Sequence, residues 1–330
     1  MKVLVTGASG LLGGAVAVAL VDAGHQVTTF QRRPSGVPGV RDVLGSVTDA
    51  PAVAHAMRGV QGVVHLAAKV SLAGDPADFR RVNVEGTRNV LAGAASYGAD
   101  RVVHVSSPSV AHLGSSIVGA EAPAAEPEGA RGDYARTKAQ AELFALAADG
   151  PALRVTSVRP HIVWGPGDPQ LVARVVARAR AHRLPLLGHG AALIDTTYVE
   201  NAASAIVAAL HRLGDDDGVV RGRAYVVTNG EPRPVAEVLA AICRAAGAPV
   251  PTWRVPARTA RALGGAVERV WRVWPGADEP PMTRFLAEQL STAHWFDQRR
   301  TRADLRWAPG VSLDEGMERL AAWYRRDGAV

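Results

Sequence analysis

Tyr134 and Lys138 stand four residues apart in DYARTK, a spacing that on a helix projects both side chains from one face. A free phenol titrates near ~10 and is a poor acid or base at neutral pH, so it needs a nearby positive charge before it can exchange protons readily. Lys138 supplies one. YxxxK alone is a common surface pair, but Ser107, at the end of the apolar run before this helix, adds a hydroxyl to the same place. Far upstream, Gly7, Gly10 and Gly13 in TGASGLLGG follow the first apolar run and open a helix. Such a turn lets backbone N–H groups at a helix N-terminus face a pyrophosphate. The second run ends Phe30-Gln31-Arg32-Arg33, without the carboxylate that usually takes the ribose hydroxyls of NAD. Two guanidiniums, Arg32 and Arg33, suit a 2′-phosphate by bidentate, charge-assisted hydrogen bonds, so the expected cofactor is NADP(H).

These residues need a scaffold that brings them to one edge. From 1 to about 160, β-branched runs at 2–6, 26–31, 62–66, 101–106 and 154–159 alternate with helical patterns at 11–23, 50–57, 76–97 and 134–148. That rhythm predicts an α/β fold, a doubly wound parallel sheet of the Rossmann kind. After 160 the rhythm loosens, but 196–210 and 223–228 read as a helix and a strand that return to the first sheet. The expected organisation is therefore a nucleotide-binding domain of 1–160 plus about 196–228. A smaller substrate-binding region takes about 161–195 and 229–330. The Ala-, Pro- and Gly-rich stretch 119–132 reads as a loop.

Composition narrows the function classes. The chain has 330 residues with 37 basic and 31 acidic side chains, an excess too mild and too scattered for nucleic-acid binding without a reader motif. The ten histidines show no metal-ligand spacing, so no metal is expected. Cys243 is the lone cysteine, and MKVLVTG runs straight into a strand without signal-peptide features, which together predict a cytoplasmic protein. Arginines interrupt every apolar run before the ~18 residues a bilayer span requires.

The motifs together resemble the extended short-chain dehydrogenase/reductase family over nearly the whole chain. They are TGASGLLG, HLAA at 65–68, VNVEGTRNV at 82–90, VSSPSV at 105–110, YARTK at 134–138, RPHIVWGPGD at 159–168 and DTTYVENAASA at 195–205. The resemblance implies that Tyr134 is the proton donor or acceptor, that Ser107 rather than Ser106 hydrogen-bonds the reacting oxygen, and that Lys138 holds the nicotinamide ribose and lowers the tyrosine pKa. It also implies cofactor contacts at Ser9, Leu11, Leu12, Ala67, Ala68, Lys69, Asn83, Pro160, His161, Ile162 and Val163, besides the residues above. Two departures stand out. Ser46 in Gly45-Ser46-Val47 replaces an aspartate the family often sets against adenine. Ala111 and His112 stand where sugar-nucleotide members place an aromatic. Within that family the chain resembles the 3β-hydroxysteroid dehydrogenase branch and, in it, the bacterial 2-alkyl-3-oxoalkanoate reductases of long-chain olefin synthesis.

The resemblance thus implies an NADPH-dependent reductase turning an apolar ketone into a secondary alcohol. A steroid dehydrogenase, a sugar-nucleotide epimerase or dehydratase, and a non-catalytic NADP sensor remain as alternatives. Helices 76–97 and 134–148 are those that family members commonly pair, so a homodimer is expected, alone or within a larger enzyme assembly. Between Pro256 and Pro275, a helix over 257–274 gathers Arg258, Arg261, Arg269 and Arg272 on one side and Leu263, Val267, Val270 and Trp274 on the other. Such a helix can pack over the core, lie in a lipid headgroup layer as a peripheral contact, or cover the mouth of an apolar pocket.

Overall fold

The computed structural model describes residues 1–71, 74–112, 114–273 and 284–326, with the backbone alone described at 268–273 and 284–286. Seven strands form one sheet in the spatial order Ala224–Val227, Arg154–Pro160, Arg101–Val105, Gly62–His65, Lys2–Thr6, Gln26–Gln31 and Arg41–Leu44. Every neighbouring pair is parallel. Strands covered on both faces read as continuous apolar runs, and Val3–Val5, Val63, Val64, Val102, Val103, Val155 and Val158 are all buried. Helix Leu11–Asp22 shows almost no polar face because the sheet covers one side and helix Val199–Arg212 the other. Arg41–Leu44 has no signature in the sequence: it is an exposed edge strand, and nothing selects an apolar run there.

The order of connection reverses between Lys2–Thr6 and Gly62–His65, which opens a crevice at the carboxyl ends of the strands. Beside it, the pattern over 76–97 resolves into helix Pro76–Phe79, a π-helical segment Arg80–Glu85 and helix Gly86–Tyr97. A π segment rotates the residues it carries relative to a regular helix, and such segments recur at functional sites. Here it carries Asn83.

A smaller sheet of four strands has the order Arg233–Pro234, Leu193–Ile194, His294–Phe296 and Ile117–Ala120. This corrects two expectations. The loop over 119–132 begins inside a strand, and Ile117–Ala120 pairs with His294–Phe296 rather than with the large sheet. A segment from within 1–160 therefore belongs by pairing to the second region. The helix after Pro256 runs from Ala257 to Val273. Its packing also departs from the expected faces: Ala260 and Gly264 are buried, Leu263 is 57% exposed, and the Arg261 guanidinium donates to Ser291 Oγ at 2.9 Å. A small-residue face lets the neighbouring Ala287 approach, which an apolar-stripe argument overlooks. Trp274 lies outside the described residues, as do the side chains of Arg269, Val270 and Arg272. Among the described residues, no helix is long and apolar enough to cross a membrane.

Candidate active site

The strand ends open on a cleft of about 930 Å³. Gly7, at φ +81°, makes the turn out of the first strand, where a Cβ would lie 2.9 Å from the Ala67 backbone nitrogen. A Cβ at Gly13 would strike the Gly7 carbonyl oxygen, whereas one at Gly10 would meet only that oxygen at 3.6 Å. The turn is thus closed behind and open toward the cleft, with the N-terminus of helix Leu11–Asp22 facing the opening. Ser9, Leu11, Leu12, Ala67, Ala68 and Lys69 line the cleft wall, as do Pro160, Ile162 and Val163. These residues fit a dinucleotide: backbone donors, glycines that permit close approach, and a helix N-terminus for a pyrophosphate.

Arg32 and Arg33 are exposed at the lip. The nearest strand does carry a carboxylate, Asp42, but it is occupied. It accepts from the Thr29 hydroxyl, from Gln31 Nε2 at 3.0 Å and from the Ser35 backbone N–H at 3.2 Å. The Thr29 hydrogen bond leads in holding its carboxyl below the ordinary range. Ser46, also on the wall, is turned onto Thr48, hydroxyl to hydroxyl at 2.8 Å.

Asn83 and His161 stand behind the wall. The Asn83 amide accepts from Lys69 N–H at 2.7 Å and donates to Lys69 O at 3.2 Å and to Thr137 Oγ1 at 3.0 Å, so it joins the cofactor loop to the YxxxK helix Asp133–Ala147. His65 completes the seam. Thr6 Oγ1 already accepts from the Leu66 and Ala67 N–H groups, so its proton goes to His65 Nδ1 at 2.8 Å. His65 Nε2–H then donates to Thr87 Oγ1 at 3.0 Å, and Thr87 donates to Asn83 O at 2.6 Å. Burial, aided by Lys138, lowers the His65 pKa to about 3, so the ring stays neutral. His161 is held differently: its Nδ1 meets the Asp195 carbonyl oxygen at 2.6 Å, and Thr197 Oγ1 donates to His161 O at 2.7 Å.

At the centre, Ser107 Oγ accepts from Ser109 Oγ at 3.0 Å and is hydrogen-bonded to Tyr134. Burial raises the Tyr134 pKa, while the Ser107 hydrogen bond works against it. Ser106 is buried with no hydrogen-bond partner for its hydroxyl. One turn along the helix, Lys138 is 3% exposed and donates to Val105 O at 2.7 Å. Burial lowers its pKa to about 8, and Glu142, the next turn on, opposes that shift.

A parallel sheet with a glycine turn, two hydroxyls and a buried lysine is one arrangement, and known proteins show whose it is. Residues 4–257 match the model of the 3-beta hydroxysteroid dehydrogenase/isomerase family. The chain belongs to that family. Within it, this extended short-chain dehydrogenase/reductase is an oxidoreductase acting on a CH–OH group or ketone. It is 41% identical to a 2-alkyl-3-oxoalkanoate reductase of Stenotrophomonas maltophilia over 98% of this chain and 99% of that one. A 3-beta-hydroxysteroid dehydrogenase of Mycolicibacterium neoaurum is 30% identical, over 98% and 90%. Among solved structures, a dTDP-glucose 4,6-dehydratase of Streptomyces venezuelae with NAD bound superposes with a TM-score of 0.75 at 25% identity, over 100% and 98% of the two chains.

Several residues at the site of this dehydrogenase-family chain lie outside the site residues expected from its sequence. Glu142 is fully buried and takes a two-point hydrogen bond from Arg159, whose Nε lies 2.8 Å from Oε2. Arg159 also donates to Pro123 O at 2.6 Å, tying the loop at Pro123 to the sheet. Both positions carry a visible signal, since a charged residue four after Lys138 on the same helix and another inside an apolar strand must meet or go unpaired. His104, beside Lys138, carried no comparable signal.

Proposed function

We propose that this protein is an NADPH-dependent ketone reductase whose substrate is a 2-alkyl-3-oxoalkanoate, reduced to the 2-alkyl-3-hydroxyalkanoate in long-chain olefin synthesis. The observation that carries the chemistry is the Ser107–Tyr134 hydroxyl pair above buried Lys138 at the cleft floor. The substrate class is supported by the 41% identical reductase and by a second, 37% identical, from Shewanella oneidensis.

A substrate carbonyl oxygen accepts from Ser107 and Tyr134, which hold it and stabilise the charge it gains. NADPH, when bound, supplies the hydride. Because burial raises the Tyr134 pKa, the phenol is protonated at neutral pH and is suited to give its proton to the developing alkoxide. The Lys138 ammonium, below about pH 8, favours the phenolate left behind. Arg32 and Arg33, exposed at the lip, and Asp42, already engaged by Thr29, Gln31 and Ser35, support NADP(H) over NAD(H). The test is stoichiometric NADPH oxidation on a panel of 2-alkyl-3-oxoacids, steroids and sugar nucleotides. Equal turnover with NADH at subsaturating cofactor, unchanged in Arg32→Ala, defeats the cofactor assignment. Activity on steroids alone defeats the substrate assignment.

Two contacts belong to the same reading. Helices Gly86–Tyr97 and Asp133–Ala147 expose Tyr97, Leu143 and Phe144, which supports a homodimer, to be checked by light scattering at micromolar concentration. Exposed Trp253 and Leu263 near Arg258 support a peripheral lipid contact, to be checked by co-sedimentation with anionic vesicles.

A further inference from the structure

Beneath the cleft, a second titratable side chain touches the catalytic lysine. Lys138 Nζ lies 2.7 Å from Val105 O and 3.4 Å from His104 Nε2. An ammonium has three N–H donors and no acceptor, so the imidazole nitrogen that faces it must carry the lone pair. The His104 proton is then on Nδ1, and Nδ1 is buried with no hydrogen-bond partner. A phenylalanine would fill this place without stranding a donor, which makes His104 costly as mere filling. His65, at 5.6 Å between ring centroids, is the contrast, because both its nitrogens are engaged.

We propose that His104 is a positioning residue: its Nε2 lone pair and the Val105 carbonyl together hold the Lys138 ammonium, leaving one N–H for the cofactor ribose. The part concerning the ribose rests on the function proposed above; the contact itself does not. The groups facing Lys138 are His104 and the Val105 carbonyl on one strand, His65 on the next, and Tyr134 and Glu142 on its own helix. Arg159, from Arg154–Pro160, pairs with Glu142. Burial, Lys138 and His65 hold the His104 pKa well below the histidine range, so it accepts as a neutral ring at every working pH. A neutral acceptor favours the charged lysine, and its loss should let burial depress Lys138 further.

Three lysines make this measurable, because Lys2, Lys69 and Lys138 each contribute one resonance to a protein labelled with [13Cε]lysine. Lys138→Arg assigns its peak by removing it. In the wild type Lys138 should titrate near about 8. His104→Phe should lower that midpoint by about one unit, and His104→Gln, which presents an amide oxygen, should restore it toward the wild-type value. Turnover of the Phe variant should then fall about fivefold at pH 8 and be unchanged at pH 6. An unmoved midpoint in folded His104→Phe overturns the proposal. Should that variant fail to fold, 15N spectra of wild-type histidines decide: an Nδ1–H tautomer whose Nε2 shift follows the Lys138 titration supports it, and an Nε2–H tautomer overturns it. These spectra need neither substrate nor cofactor, so they test the contact even where every compound of the substrate panel is inactive.

Discussion

The two regions of the molecule are built by different means. On the dinucleotide side, functional residues sit at the ends of strands of four to seven residues, and one hydrogen-bonded seam from Thr6 through His65 and Asn83 to Thr137 locks the cofactor loop to the catalytic helix. In the second region the strands are mostly two or three residues long. Order there comes from buried polar side chains reaching across the chain. Gly310 and Val311 are anchored by Asn201 of helix Val199–Arg212, more than 100 residues away, which donates to Val311 O at 2.6 Å and accepts from Gly310 N–H at 2.9 Å. Asp195 accepts from the Gly230 and Glu231 N–H groups, both at 3.1 Å. A long parallel sheet follows from local apolar pattern; a small irregular layer depends on individual contacts of large sequence separation.

The sharpest separation of the two should come from the chemistry. Tyr134→Phe keeps the ring but removes the proton donor, so turnover should fall by about 10²-fold or more, with cofactor affinity measured by fluorescence titration unchanged. Near-normal turnover would mean that the dinucleotide side does not supply the proton. Asn201→Ala touches nothing in the cleft, yet it strands the Gly310 and Val311 N–H groups it accepts. It should cost about 1–3 kcal/mol of stability in denaturant unfolding, with kcat retained at low temperature. A loss below that range would show that the second region does not depend on such contacts.

Acid should weaken both regions together. His65 on one side and His161 and His294 on the other are buried and neutral, with pKa values lowered by burial to about 3, about 4 and about 3 from 6.5. Below about pH 6.5 the unfolded chain gains protons that the folded one refuses. Stability is therefore full above that pH and declines as pH falls toward the folded values, by up to about 1.4 kcal/mol per unit for each ring. Asp195, raised to about 6 by burial, acts in the opposite sense: its contribution falls as pH rises from about 4 to 6. Thermal melts at pH 7 and pH 5 check the balance. A melting temperature that rises on acidification would show that the carboxylate outweighs the histidines.

The large sheet was legible because each of its buried strands carries its own signal. Val3–Val5 and Val102–Val103 announce burial without reference to any partner, and the GxxGxxG turn fixes where the first helix begins. Arg41–Leu44 was not legible, since an exposed edge strand needs no apolar run. Ile117–Ala120 failed for another reason: a four-residue strand declares nothing until His294–Phe296, far along the chain, arrives to pair with it.

The same division runs through the site. Sequence alone determined the residue types at Ser107, Tyr134 and Lys138 and the helical spacing that aligns the last two, because one helix face is a local property. Tertiary structure alone decided what surrounds them. It placed the Asn83 amide behind the wall as a clamp, occupied Asp42 with Thr29, Gln31 and Ser35, and set His104 against the catalytic ammonium. Those outcomes depend on which strands become neighbours, and on the burial that makes each unpaired proton or charge costly enough to require a partner.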